Sequence, residues 1–215
     1  MSTAHALSPA QDGVGAMRSY VQGISRAVTE IALPDLMRAA GVLERAHGGG
    51  HTVFTCGNGG SATTASHFAL DLTKNTRLPG VPPVRTMSLA DQVPALTAWA
   101  NDVGYEAVFS GQLAGLARPG DVLVAISTSG MSPNVLAALR LARDCGMATV
   151  GLLGPTGGSA GPLCDVWVAA PAPSIEEQED LHMSMAHILT RHMRDRIRQM
   201  STGSMDSTAS VRDMM

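Results

Sequence analysis

The chain has 215 residues, enough for one domain with a full core, and its 45% apolar content is ordinary for a globular protein. Charged residues make up only 15%, the net charge is −3 and no basic run occurs, so nucleic-acid binding has no electrostatic support. No apolar stretch approaches the roughly 18 residues of a membrane span, the first residues lack a basic-then-apolar leader pattern, and Cys56, Cys145 and Cys164 sit apart in or beside apolar segments as reduced core thiols, so a cytoplasmic protein is expected.

Residues 1–13 read as a flexible N-terminus. From there Met17, Val21, Ile24, Val28 and Ile31 recur at helical spacing, Pro34 breaks the pattern, and Asp35 to Ala46 resumes it. Gly48-Gly49-Gly50 launches a first strand, Thr52 to Cys56, and Ser61 to Leu72 follows as helix. After a Pro-containing loop comes a short strand, Val84 to Leu89, then helical segments Asp91 to Ala100 and Tyr105 to Leu116. Val122 to Ile126 is strand, Pro133 to Asp144 helix, Ala148 to Leu153 strand, Gly157 to Leu163 a loop or short helix, and Val166 to Ala170 strand. Glu176 to Met200 is a long final helix, and the small, polar, aperiodic residues 201–215 read as a disordered tail. Five apolar strands alternating with helices imply an α/β fold: one three-layer domain over 14–200, with a parallel sheet covered on both faces.

Ligands in such sheets bind beyond the carboxyl ends of the strands. Two loops there are built for an anion. Ser127-Thr128-Ser129-Gly130-Met131-Ser132 follows one strand and precedes a helix, and Asn58-Gly59-Gly60-Ser61 repeats the arrangement after another. Unpaired N–H groups and the helix dipole favour negative charge at a helix start, and hydroxyls add neutral donors. Neither loop ends in Gly-Lys-Ser/Thr, so a P-loop is excluded, and a phosphorylated small molecule is the expected ligand. The competing reading is that Ser61 and Ser132 merely cap their helices.

His67 and Asp71 stand four apart on the helix leaving the first loop, which puts both on one face as a metal-binding pair, an acid–base pair or a structural pair. The last helix opens Glu176-Glu177-Gln178-Glu179-Asp180-Leu181-His182; acids in a first turn suit the helix dipole. His187 lies between Ala186 and Ile188, a context equally suited to a core histidine. Asn101-Asp102 before Gly104 ends a helix or contacts a ligand. Low charge with 13 methionines points either to surface buried by other subunits or to a small-residue-rich composition.

Taken together, these stretches resemble the sugar isomerase (SIS) domain family, and within it the phosphoheptose isomerase branch. The matching segments are residues 57–62, His67-Phe68-Ala69-Leu70-Asp71-Leu72, 96–102, 127–135, Glu179-Asp180-Leu181-His182 and His187-Ile188-Leu189, in the family's order. The resemblance implies a flavodoxin-like sheet and isomerisation of sedoheptulose 7-phosphate to D-glycero-D-manno-heptose 7-phosphate through an enediol. It implies that Asn58, Gly59, Gly60, Ser61, Ser127, Thr128, Ser129 and Ser132 hold the phosphate and nearby hydroxyls. Asn101, Asp102, Asp71 and Glu179 would contact the sugar, and His67, Asp71, Glu179 and His187 would surround one zinc ion. A homotetramer with sites at subunit contacts follows in the same way. Asp71 as base and His187 as acid complete the expected chemistry. The family usually has Glu at position 71 and often Gln at 179. A run of eight helical residues spans about 12 Å, so Glu179 and His187 reach one metal only at full extension. The alternatives are a non-catalytic SIS module that binds a phosphosugar or a protein, an isomerase of another sugar phosphate, and a sugar-phosphate-sensing regulator. The last would need a DNA-binding segment that the first 50 residues lack.

Overall fold

The computed structural model describes the backbone of residues 9–212 and the side chains of 13–201. In chain order the elements are α1 (Pro9–Thr29), α2 (Leu33–Gly48), β1 (Thr52–Cys56), α3 (Gly60–Lys74), β2 (Arg85–Ser88) and α4 (Val93–Asp102). They continue with α5 (Ser110–Ala114), β3 (Val122–Ser127), α6 (Pro133–Asp144), β4 (Ala148–Leu153), β5 (Val166–Ala169) and α7 (Ile175–Arg212), with single 3₁₀ turns at Tyr105–Ala107 and Gly161–Leu163. The five strands pair in parallel in the order β2-β1-β3-β4-β5. All six residues of β3 are buried, as its unbroken apolar run requires of a strand covered on both faces. One core layer joins α2, α3 and α7 to the sheet through Leu43, Phe68, Leu72, Leu181 and Leu189; the other joins α5 and α6 through Leu113, Val135 and Leu139.

This strand order reverses direction between β1 and β3, which is the switch point where doubly wound sheets open a crevice for ligand. The loops after β1 and β3 are the two hydroxyl loops, so topology brings together segments about 70 residues apart in the chain.

Two expectations change. Tyr105 to Leu116 is a 3₁₀ turn followed by the short α5. Gly104 at φ 127° interrupts the path there, and only Val108, Phe109, Gln112 and Leu113 of this stretch bury against the core, too few to anchor one long helix. At the ends, α1 begins at Pro9 and α7 is drawn to Arg212. Residues 1–8 and 213–215 lie outside the described residues. The apolar stripe of α1 is helical but largely uncovered: Met17 is 71% and Val21 66% exposed, whereas Ala27 and Ile31 are buried.

Candidate active site

The two hydroxyl loops are tied by a pair of asparagines. The Asn58 amide donates to Asn134 Oδ1 at 2.9 Å, and the Asn134 amide donates to Asn58 Oδ1 at 2.8 Å. Asn134 is buried in the first turn of α6, so the pair bridges the β1/β3 crevice. Inside the second loop, Ser127 Oγ accepts the Gly130 N–H at 3.1 Å and Ser129 Oγ accepts the Met131 N–H at 3.1 Å. Gly130 holds φ 61°, and a Cβ there would collide with the Gly157 carbonyl, so only glycine closes this loop.

Neither serine proposed as a cap does that job. Gly59 is the N-cap of α3, and Ser132 caps α6 without a side-chain hydrogen bond. Among the described residues, the Ser61, Thr128 and Ser132 hydroxyls make no hydrogen bond. Uncommitted hydroxyls at two helix starts are what a phosphate needs.

The acidic start of α7 divides into distinct jobs. Ser174 and Glu177 form a capping box: Ser174 Oγ accepts the Glu177 N–H at 3.2 Å, and Glu177 Oε2 accepts the Ser174 N–H at 3.2 Å. Asp180 accepts the Tyr20 hydroxyl at 2.7 Å and so fixes α1 to α7; that bond pushes the Tyr20 pKa up to about 12. The Glu179 carboxylate lies over the Gly60 Cα at the start of α3, where a Cβ would collide with it. A carboxylate at that helix start repels a second anion, so the Ser127–Ser132 loop is the better phosphate seat.

Two turns higher on the same two helices, His67, Asp71 and His187 converge. His67 Nε2 lies 3.4 Å and His187 Nε2 3.8 Å from Asp71 Oδ2, and the two imidazole nitrogens are 3.4 Å apart. Donors about 2.0–2.1 Å from one tetrahedral centre lie about 3.3–3.4 Å from each other. The three atoms are therefore spaced much like three corners of a tetrahedron that would suit a small divalent cation. Two neutral imidazoles and one carboxylate are the donor set of catalytic zinc-type sites.

Glu179 does not join this group. α7 is already helical at Ile175, so Glu179 sits two turns below His187, about 12 Å along the axis and rotated by about 80°. Of the four residues that the resemblance implies for a metal, the structure groups His67, Asp71 and His187 and places the Glu179 carboxylate beside Gly60. His187 is exposed, and the core histidine of α7 is His182, at 0% exposure. Five helical residues turn about 140°, which carries the two rings to opposite faces.

Both His182 ring nitrogens lack a well-formed hydrogen bond; burial pushes its pKa down to about 4, against a smaller opposing pull from the Leu153 backbone. The unfolded chain takes up this proton near pH 6.5 and the folded protein only near 4. Stability is therefore full above about pH 6.5 and falls by about 3 kcal/mol as pH drops to 4. Thermal melts of wild type and His182→Gln across that range test this: the gap between their Tm values narrows as pH falls, and parallel curves would refute it.

Asn101 and Asp102 are exposed at the end of α4, their side chains bonded to each other at 2.8 Å. The Tyr105 hydroxyl ties the following turn to the first loop by donating to Asn58 Oδ1 at 3.1 Å. Burial raises the Cys56 and Cys164 thiols to about 12, so neither serves as a nucleophile. Asn134 and Tyr105 are the residues that sequence reading did not single out. A buried asparagine carries no spacing signal, and its partner is 76 positions away.

Residues 18–154 match the model of the SIS domain family. The phosphoheptose isomerase of Rhodospirillum rubrum is 40% identical over 156 residues, covering 73% of this chain and 82% of that protein. The phosphoheptose isomerase of Desulfovibrio desulfuricans is 40% identical over 187 residues, covering 87% and 83%. Among solved structures, phosphoheptose isomerase from Neisseria gonorrhoeae superposes with a TM-score of 0.79 at 31% identity over 86% of this chain and 98% of that one. The one from Francisella tularensis gives 0.78 at 27% identity over 88% and 100%. Uncommitted hydroxyls at the switch point, a three-donor cluster two turns above them and these likenesses agree: the chain belongs to the SIS domain family, among its phosphoheptose isomerases.

Proposed function

We propose that the protein isomerises sedoheptulose 7-phosphate to D-glycero-D-manno-heptose 7-phosphate. The observation that carries this reading is the pairing of a hydroxyl loop at Ser127–Ser132, at the β1/β3 switch point, with the His67–Asp71–His187 cluster on α3 and α7. An open-chain sugar phosphate carries its phosphate and its carbonyl at opposite ends and so calls for two such groups. Ser127, Thr128, Ser129 and Ser132 hold the phosphate; Asn58, Gly59, Gly60, Ser61, Glu179, Asn101 and Asp102 meet the sugar hydroxyls. His67, Asp71 and His187 would hold a zinc ion, which when bound polarises the carbonyl and hydroxyl oxygens.

The chain's own groups move the protons. Asp71 takes a proton from C1 of the ketose while His187 gives one to the C2 oxygen, leaving an enediol. Asp71 then returns its proton to C2, and His187 recovers one from the C1 oxygen, which becomes the aldehyde. The phosphate seat holds the reacting carbons in place throughout.

The uncovered apolar side chains of α1 (Val14, Met17, Val21) and at the two ends of α4 (Val93 and the C-cap Val103) support a homotetramer, and the exposed Asn101 and Asp102 beside Val103 support sites completed at subunit contacts. No helix among the described residues is long and apolar enough to cross a membrane, and the free cysteines accord with a cytoplasmic location.

The test is to incubate the protein with sedoheptulose 7-phosphate in deuterated water and follow the sugar by NMR. Formation of the aldoheptose phosphate is the expected result, with deuterium at C2 to the extent that the proton on Asp71 exchanges with solvent before it is returned. Binding without turnover or exchange would overturn the enzyme reading in favour of a phosphosugar-binding module.

A further inference from the structure

His67 and Asp71 on α3 and Asn75 at its C-cap follow one another at i,i+4 spacing, so their side chains form a ladder along one face of the helix. The last rung has one side-chain bond among the described residues. Asn75 Nδ2 donates to Asp71 Oδ1 at 2.7 Å. The other carboxylate oxygen, Oδ2, faces His67 Nε2 at 3.4 Å and His187 Nε2 at 3.8 Å.

An aspartate has two side-chain torsions. The helix restricts the first, while the second is broad and nearly two-fold, so without a partner either oxygen can swing toward the imidazoles. A single amide donor on Oδ1 removes that freedom. It also places the two lone pairs of Oδ2 on the side where the donor cluster opens.

We infer that Asn75 is a positioning residue: its amide holds Asp71 so that Oδ2 alone serves the metal and the substrate. This rests on the roles proposed above for Asp71. It assigns work to a side chain that touches neither ligand, in the way that outer partners of a ligating group set its orientation.

Asn75 is well placed for a clean test. It is the C-cap of α3 at φ −84° and ψ −10°, a conformation open to any residue. Its backbone N–H bonds to the Asp71 carbonyl at 2.8 Å whatever the side chain, and the residue is exposed. Asn75→Leu therefore removes the donor at nearly constant size while leaving the helix end intact.

The experiment compares wild type, Asn75→Leu and Asn75→Gln. It measures zinc affinity by competition with a chromophoric chelator, the Tm of the metal-free protein, and kcat and KM separately. Loss of the brace weakens zinc binding about 10- to 100-fold. It lowers kcat with little change in KM, leaves the metal-free Tm unaltered, and is partly reversed in Asn75→Gln, which keeps the donor. Unchanged zinc affinity and kcat in Asn75→Leu would overturn the inference, as would a fall in metal-free Tm that accounts for the loss. Wild-type protein that takes up no zinc is a different failure: it overturns the metal reading first, and this inference with it.

Discussion

Asp71→Asn lowers kcat by about 10²- to 10⁴-fold, the range that a positioned general base supplies. The substitution keeps the shape of the side chain, and the asparagine carbonyl can still accept the Asn75 amide that now bonds Oδ1 at 2.7 Å. What changes is the atom facing the imidazoles, from a carboxylate oxygen to an amide nitrogen with no proton affinity at neutral pH and no lone pair for a cation. Asp71 is only 8% exposed and belongs to α3, whereas the phosphate seat is built on β3 and α6. Affinity for the sugar phosphate therefore stays within a few-fold. Steady-state kinetics with calorimetric titration of the sugar phosphate read the two effects separately. A near-normal kcat would remove Asp71 from the base role; lost binding with it would show that the two levels of the site are not independent.

Stripping divalent metal abolishes turnover, and zinc restores it while magnesium does not. The donors at the upper level are two imidazole nitrogens and one carboxylate oxygen. Magnesium takes oxygen ligands in an octahedron and keeps much of its water, so it is a poor match; zinc accepts this set in a tetrahedron. The same ion ties α3 to α7 through His67, Asp71 and His187, so it also raises the melting temperature. At a hundred times its Kd, zinc adds about 2.7 kcal/mol, roughly 5–10 °C for a chain of this size. The measurements are activity and Tm after dialysis against chelator, then after each metal is added back. Full turnover in metal-free protein would leave the three-residue cluster without its proposed work. A restored Tm without restored turnover would make the metal structural.

The two loops and the His67–Asp71 pair were legible in the sequence for local reasons. A hydroxyl-rich, glycine-containing turn between an apolar strand and a helix places donors at a helix start regardless of the rest of the fold. Spacing of four on a helix places His67 beside Asp71, whereas Asn75 falls beyond the expected helix end at Leu72 and joins them only because α3 runs on to Lys74. The strands were legible because a strand covered on both faces has to be apolar throughout, as Val122 to Ile126 is.

The partners across the fold were not legible. Asn134 needs Asn58, and His187 needs His67, at separations of 76 and 120 residues. No local period records which face of α7 meets α3. That face was decided by the side-by-side packing of the two helices on the sheet, which sends His182 into the core and turns His187 to the donor cluster. The same packing holds Glu179 two turns below the cluster, over Gly60. The sequence by itself determined the parallel α/β architecture, the two loops and the His67–Asp71 pair, because each rests on apolar pattern or helical spacing within one segment. Only the tertiary structure decided which groups meet, because contact between α3 and α7 is set by where the sheet carries them rather than by anything within either helix.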